Sequence, residues 1–373
     1  MEGKEEADEK RMGVVLSSNN NKRAKIQDDD SQPQTNNVVS LRNKHSEVGE
    51  RIAETGFYQS MELTTDTPIC TKTSKYQTIE VHQAKHYGKV LMLDGVIQLA
   101  ERDANAYNEM ITHCAMMAHD NPQNVLVIGG GDGYVLSEVL KHSSVKHVDH
   151  VDLDGDVVEI CRTHFPWRDA WEDPRVKLHI ADGAAFVANS KHDFYDVVIQ
   201  DSSDPYTCCE DGSLVELPSC VLFTQDHFRN VHKTLREKGV FIFQSECFQI
   251  PSDLDCIVKW RKQVLDLGFH HARYGSITIS SYPTGQVGFL LCEKDRDAGD
   301  HTTNNKHTNH PGDLQQQSSS RIDQRFQEIV KKGCSTTYYH PRLQKSCFDL
   351  PLWVEKKIYG DETRTTQTET QNN

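Results

Sequence analysis

The sequence predicts an α/β fold: a doubly wound, mostly parallel sheet preceded by a small N-terminal antiparallel β domain. Three observations predict it. Residues 69–100 alternate as strands do and are interrupted by turn residues. From Asn105 onward, short apolar runs alternate with stretches of helical spacing. One of those runs ends in a glycine cluster.

In the first stretch, Tyr76, Thr78, Glu80 and His82 fall on one strand face, and Gln77, Ile79 and Val81 on the other. Val90-Leu91-Met92-Leu93 and Val96-Ile97-Gln98-Leu99 flank Asp94-Gly95, a strong hairpin turn. In the second, Val125-Leu126-Val127-Ile128 leads into Gly129 to Gly133, and Val135, Leu136, Val139 and Leu140 follow at helical spacing. Further strands are predicted at Val148 to Asp154, at Tyr195 to Gln200 and at Val240 to Phe243 after a Gly239 turn. A hairpin is predicted within Ile277 to Leu291. Strand–helix alternation of this kind winds a sheet whose ligand lies beyond the carboxyl ends of the strands.

The composition sets the flanks. Residues 1–46 are polar and charged and read as a disordered tail, 47–104 as the β domain and 105–294 as the catalytic domain. Residues 295–320 read as a disordered polar insertion, 321–360 as a C-terminal helical segment packed on the catalytic domain, and 361–373 as a Thr- and Gln-rich tail. A net charge of −14 disfavours nucleic acid and anionic membranes as partners and suits cationic small molecules. No apolar run reaches the roughly 18–20 residues that span a bilayer. The N-terminus is too charged for a signal peptide, and a cytoplasmic location is expected, with Lys22-Arg23-Ala24-Lys25 leaving nuclear entry open. The 11 cysteines are scattered and form no CxxC pairs, so no metal is expected. Cys161, Cys256 and Cys292 lie in apolar stretches and are expected as buried, reduced thiols.

Candidate site residues gather at predicted strand ends. Gly129-Gly130-Gly131-Asp132-Gly133 turns a strand into a helix where a backbone must approach a ligand, although alone it is only a tight turn. Asp152 follows Asp132 by 20 residues, the spacing of an acid that accepts from ribose hydroxyls. Asp182-Gly183 supplies a further acid for an adenine amino group. Asp132 at the loop's mouth would repel a pyrophosphate, which argues against NAD and, less strongly, against intact S-adenosylmethionine. Asp201-Ser202-Ser203-Asp204-Pro205 and Gln244-Ser245-Glu246 bring more acids to the same edge. The Asp201 to Pro205 stretch also suits a plain turn with a helix cap. So many carboxylates repel one another unless the ligands carry positive charge. A diamine would: one acid could take the attacking nitrogen's proton while others hold the remaining ammonium groups.

The motifs resemble those of the spermidine synthases, within the polyamine aminopropyltransferases. The matching segments span about Gly56 to Glu293, with a further piece at 337–354. They include Ser74-Lys75-Tyr76-Gln77, the run from Tyr87 to Gln98, Glu101-Arg102-Asp103, Tyr107-Asn108-Glu109-Met110, the glycine loop and the run from Tyr282 to Phe289. The resemblance implies a Rossmann-like, methyltransferase-type sheet, a homodimer, no cofactor beyond decarboxylated S-adenosylmethionine as co-substrate, and putrescine as acceptor. It implies Asp201 as general base, with Tyr107 and Tyr282 beside the reacting groups. It places the donor against Gln77, Gly129, Gly131, Asp132, Asp152, Asp182 and Gly183, and the acceptor against Tyr107, Asp201, Asp204, Gln244 and Tyr282.

Departures bear on the acceptor. The family's Gly-Trp-Phe-x-Glu is Gly56-Phe57-Tyr58-Gln59-Ser60 here, its Tyr-Gln-Glu is Tyr107-Asn108-Glu109, and its ribose Glu is Asp152. The short loop expected after Pro205 is a longer segment from Tyr206 to Leu222. Spermine or thermospermine synthase, putrescine N-methyltransferase and a non-catalytic polyamine-binding regulator remain as alternatives at this point.

Overall fold

Apolar strands with helices between them bury both faces by forming a parallel sheet. The computed structural model, which describes residues 46–208, 214–294 and 322–360, is built on such a sheet. The predicted tails, apart from Ser46, lie outside the described residues, as do the 295–320 insertion and residue 321.

Two antiparallel sheets come first. One is a hairpin of β1 (Glu47–Ile52) and β2 (Phe57–Glu62). The other has four strands in the order β3 (Cys70–Thr73), β4 (Thr78–Ala84), β5 (Gly88–Leu93) and β6 (Val96–Ala100). The single N-terminal sheet expected from the sequence is therefore two. Tyr76 and Gln77 precede β4 rather than continue it, because Ser74 turns the chain there: its Oγ accepts from the N–H groups of Tyr76 and Gln77.

After α1 (Ala104–Ala118) come β7 (Asn124–Gly129), α2 (Tyr134–Leu140), β8 (His147–Asp152), α3 (Gly155–His164), β9 (Val176–Ile180), α4 (Gly183–Ala188) and β10 (Tyr195–Asp201). A small ribbon of β11 (Tyr206–Cys208) and β12 (Leu214–Glu216) leads to α5 (Gln225–Thr234), β13 (Leu235–Gln244), α6 (Pro251–Asp266), β14 (Phe269–Thr278) and β15 (Gln286–Lys294). The main sheet has the order β14-β15-β13-β10-β7-β8-β9. Strands β13, β10, β7, β8 and β9 are parallel, while β15 and β14 run antiparallel at one edge. The chain first builds outward from β7 through β8 to β9, then returns to the other side of β7 with β10. That reversal opens the crevice in which such sheets bind ligands.

Several boundaries differ from the sequence reading. β8 ends at Asp152, and Asp154 caps α3 by accepting from the Asp156 N–H. β13 begins at Leu235 and runs through Gly239, which was expected to precede it. The β14–β15 hairpin is longer at both ends than the predicted Ile277 to Leu291. Cys161 and Cys292 are buried, but Cys256 on α6 is only half-buried and faces a cavity. Its neighbours Asp253 and Trp260 lie along the same helical stripe, so the cavity wall takes Cys256 with them.

The C-terminal segment comprises α7 (residues 322–331), α8 (Pro341–Ser346) and α9 (Leu352–Tyr359). Phe326, Tyr339 and Phe348 join the core that contains α1, and Val354 and Ile358 join the core on the other face of the sheet. Glu109 of α1 clamps this segment. Its carboxylate accepts from the backbone N–H groups of Thr337, Tyr338 and Tyr339 and from the Thr337 hydroxyl at 2.7–3.0 Å. Glu109→Ala would strand those donors, so a loss of about 3 kcal/mol or more is expected in denaturant unfolding. Burial pushes the Glu109 carboxyl up, but these donors outweigh it and hold the pKa below its usual value of 4.5. The clamp's stability is thus present above the unfolded-state pKa and is lost as pH falls through the lowered folded value.

Candidate active site

The glycine loop forms at the end of β7 because its neighbours leave no room for side chains. Gly129 has φ +75°, and a Cβ there would lie 2.1 Å from the Asp201 carbonyl oxygen. A Cβ on Gly131 would lie 2.6 Å from Asp152 Oδ2. The loop is also propped from below. His150 of β8 donates from Nε2 to the Gly129 carbonyl at 2.8 Å and accepts at Nδ1 from Trp171 Nε1 at 2.9 Å. Both ring nitrogens are thereby satisfied in the neutral form, and burial holds the imidazole pKa down at about 4.

Around this loop lies a cavity of about 310 Å³ lined by Gln77, Gly129, Gly131, Asp132, Asp152, Asp182 and Gly183, among others. The tip of β8 brings Asp152, whose Oδ1 accepts from the Asp154 N–H at 2.8 Å. Asp182 is exposed and caps α4, accepting from the Ala185 N–H at 3.0 Å. Asp132 accepts from the Tyr134 N–H at 2.7 Å. Gln77 lines the cavity, and its amide donates to Asp154 at 3.1 Å, which ties the N-terminal strands to the β8 end of the main sheet.

A second cavity of about 210 Å³ lies on the other side of β10, lined by Tyr107, Asp201, Asp204, Gln244, Glu246 and Tyr282 together with residues of β1 and α6. The two chambers share Tyr107, Asp201, Ser202, Ser203 and Asp204 as a common wall. Register explains the junction: Asp201 pairs with Gly129 across β10 and β7, so the carboxylate stands level with the glycine loop. The Tyr107 hydroxyl donates to Asp201 Oδ1 at 2.8 Å and fixes its orientation. Tyr282 donates to Glu246 Oε2 at 2.9 Å, and Gln244 approaches Asp204 Oδ1 at 3.4 Å. Glu246 sits at φ +53°, a conformation that non-glycine residues keep only where the surroundings enforce it.

The electrostatics follow from crowding. Burial, then the nearby Asp201 charge, pushes the Asp132 carboxyl up to about 7. Burial raises Asp201 to about 6 against the opposing Tyr107 bond, and raises Asp204 to about 6 against bonds from Glu246 and Gln244. Asp152 is raised to about 6, first by burial. Carboxyls that resist ionisation in an empty cleft ionise readily once a cation enters. Among the described residues, no group of three or more His, Cys, Asp and Glu side chains is placed to hold a metal ion.

Every residue that the resemblance assigns to the donor, the acceptor or the reacting groups lines one chamber or both, while Gly133 and Ser245 of the same motifs line neither. Sequence reasoning missed Glu50 on β1 and Asp253 on α6, which join the second chamber from elements far away in the chain. A signal for Glu50 existed: Val48 and Ile52 flank it at strand spacing, which puts an acid on a buried face. The altered Gly56 to Ser60 motif also resolves. Phe57 and Gln59 pair with Ile52 and Glu50, and Tyr58 and Ser60 pair with Arg51 and Gly49; Phe57 is exposed, and none of the four motif residues lines either chamber.

Comparisons with known proteins agree with this arrangement. Residues 104–303 match the spermine/spermidine synthase domain, and residues 52–101 match the spermidine synthase tetramerisation domain. Spermidine synthase 2 of Arabidopsis thaliana is 38% identical over 288 residues, covering 76% of this chain and 76% of that protein. Spermidine synthase of Solanum lycopersicum is 44% identical over 229 residues, covering 61% of this chain and 63% of its own. A crystal structure of a spermidine synthase in complex with the transition state analogue AdoDATO superposes with a TM-score of 0.70 at 26% identity, covering 86% of this chain and 97% of that one. The sheet order, the paired acidic chambers and these matches converge, and the chain belongs to the spermidine synthase family of aminopropyltransferases.

Proposed function

We propose that the chain transfers the aminopropyl group of decarboxylated S-adenosylmethionine to putrescine, giving spermidine and methylthioadenosine. The observation that carries this reading is Asp201, oriented by Tyr107 at the junction of the two chambers. The donor's nucleoside occupies the chamber of the glycine loop, with Asp152 on the ribose, Asp182 and Gly183 at the adenine, and Asp132 on the ammonium of the aminopropyl arm. The diamine occupies the chamber of Asp204, Gln244 and Tyr282. Its attacking nitrogen forms a bond to the methylene carbon next to sulfur, the C–S bond breaks with its electron pair going to sulfur, and the nitrogen's proton passes to Asp201. No cofactor or metal takes part. Holding nitrogen, carbon and sulfur in line contributes much of the acceleration.

The finer assignments belong to the same proposal: putrescine as preferred acceptor, a homodimer assembled through the N-terminal sheets, and a cytoplasmic location. Among the described residues, no helix is long and apolar enough to cross a membrane.

Incubation with each donor in turn tests the reading. Methylthioadenosine release from decarboxylated S-adenosylmethionine plus putrescine is the expected result. S-adenosylhomocysteine release from intact donor would select methyl transfer, and spermidine outpacing putrescine as acceptor would select a longer polyamine product. A pH profile adds a second check. Asp201 accepts a proton only when ionised, so kcat/KM is expected to fall as pH drops below about 6.

A further inference from the structure

Resting on that function, we propose that His150 is a positioning residue for the donor: held by Trp171 as the Nε2–H tautomer, it sets the glycine loop that carries Asp132. His150 and Trp171 are both buried, and neither lines either of the two chambers, so any effect on the donor runs through the loop. That loop is fastened differently on its two sides. Toward β10 the fastening is backbone, with the Gly130 N–H donating to the Asp201 carbonyl at 2.7 Å. Toward β8 the ladder stops at Ile128 and Val151, which leaves the Gly129 carbonyl one step past it. His150 Nε2 meets that carbonyl at 2.8 Å, a side chain standing where a strand would otherwise serve.

The partners dictate the tautomer. An indole N–H only donates and a carbonyl only accepts, so Nδ1 of His150 is bare and Nε2 carries the proton. Burial keeps a second proton off the ring, and the Arg162 guanidinium, 5.0 Å from the centre of the Trp171 ring, adds positive charge that opposes it further. Without the Trp171 N–H, the imidazole proton is free to move to Nδ1, and the Gly129 carbonyl then loses its donor. The same neighbourhood secures the rest of the loop. Trp167 Nε1 donates to the Asp132 carbonyl at 2.6 Å, and the Trp171 ring fills the space that a Cβ on Gly133 would need. Gly129, Gly130 and Gly133 all have positive φ, the conformations that glycine reaches most freely. An unfastened loop of this kind has many shapes to lose when the donor arrives, and one fastened beforehand binds more tightly.

His150→Leu removes both ring nitrogens, and His150→Gln returns an amide N–H for the Gly129 carbonyl and an oxygen for Trp171. Calorimetry with methylthioadenosine and steady-state kinetics with decarboxylated S-adenosylmethionine and putrescine read the effect. In His150→Leu the donor KM and the methylthioadenosine Kd are expected to rise about tenfold, the factor for one buried hydrogen bond lost. The putrescine KM and kcat at saturating donor should change little, because the Gly130 bond to the Asp201 carbonyl remains. His150→Gln should recover most of the donor affinity. In nitrogen-15 NMR of the wild type, His150 should show one neutral tautomer, protonated at Nε2, and Trp171→Phe should add the Nδ1–H form and weaken methylthioadenosine binding. Unchanged donor KM in His150→Leu, equal losses in His150→Leu and His150→Gln, or parallel rises in the donor and putrescine KM would overturn the proposal, since a merely structural role acts on both substrates and is not rescued by an amide. If His150→Leu does not melt cooperatively, Trp171→Phe decides, and an undisturbed tautomer with unchanged methylthioadenosine affinity rejects the inference. Wild-type enzyme that binds methylthioadenosine but turns over no diamine would instead reject the function on which the inference rests.

Discussion

Asp201→Asn is expected to lower kcat by about 10²–10⁴-fold, the range for removal of a general base, while the donor still binds. The asparagine is isosteric and can still meet the Tyr107 hydroxyl through its amide oxygen, so the shape of the junction is kept. What disappears is the only acid among the described residues that is both oriented by Tyr107 and shared by the two chambers. Asp204 also borders both chambers, but it is engaged with Gln244 and lies within hydrogen-bonding reach of Glu246. Single-turnover release of methylthioadenosine, read beside donor affinity by calorimetry, separates chemistry from binding. Normal turnover in this variant would remove Asp201 from the base role.

Asp132→Ile is expected to raise the KM for decarboxylated donor by about 30-fold or more, the cost of leaving one member of a buried charge pair alone. Discrimination against intact S-adenosylmethionine should fall in parallel. The intact molecule carries a carboxylate where the decarboxylated one has hydrogen, and in the proposed binding mode Asp132 would repel it. Asp132 also accepts from the Tyr134 N–H, so part of the effect of isoleucine comes from loosening the loop. Asp132→Asn keeps an acceptor there and isolates the charge. An unchanged ratio of affinities for the two donors in both variants would move the discrimination to another residue.

Much of this candidate site is legible in the sequence, because it is built where short-range rules are strict. Gly129 to Gly133, Asp152, Asp182 and Asp201 sit at the carboxyl ends of short strands, and parallel strands of similar length place such ends side by side. The rules fail where tertiary contacts decide. Gln77 lines the glycine-loop cavity as expected, but what holds its amide there is Asp154, a residue 77 positions later that no local window contains. Val148 to Asp154 was read as one strand, but Asp154 exchanges a sheet partner for the exposed N–H groups at the start of α3. Gly239 looked like a stop, but β13 continues through it at the cost of Lys238 at φ +61°. Glu50 was passed over because one acid among polar residues near a chain's start resembles surface. Its burial depends on β6 and α6 folding over the hairpin, which no local window contains.

The shared wall at Tyr107 and Asp201 fixes more than who meets whom. Reactants that enter from opposite sides of one partition collide along a single line, so the incoming amine reaches carbon from behind the departing sulfur. With donor and diamine in the chambers proposed for them, the transferred carbon is expected to turn inside out in one direct displacement. Chirality imposed on it by isotopic labelling would emerge inverted, and no residue ever needs to carry the propyl chain in between.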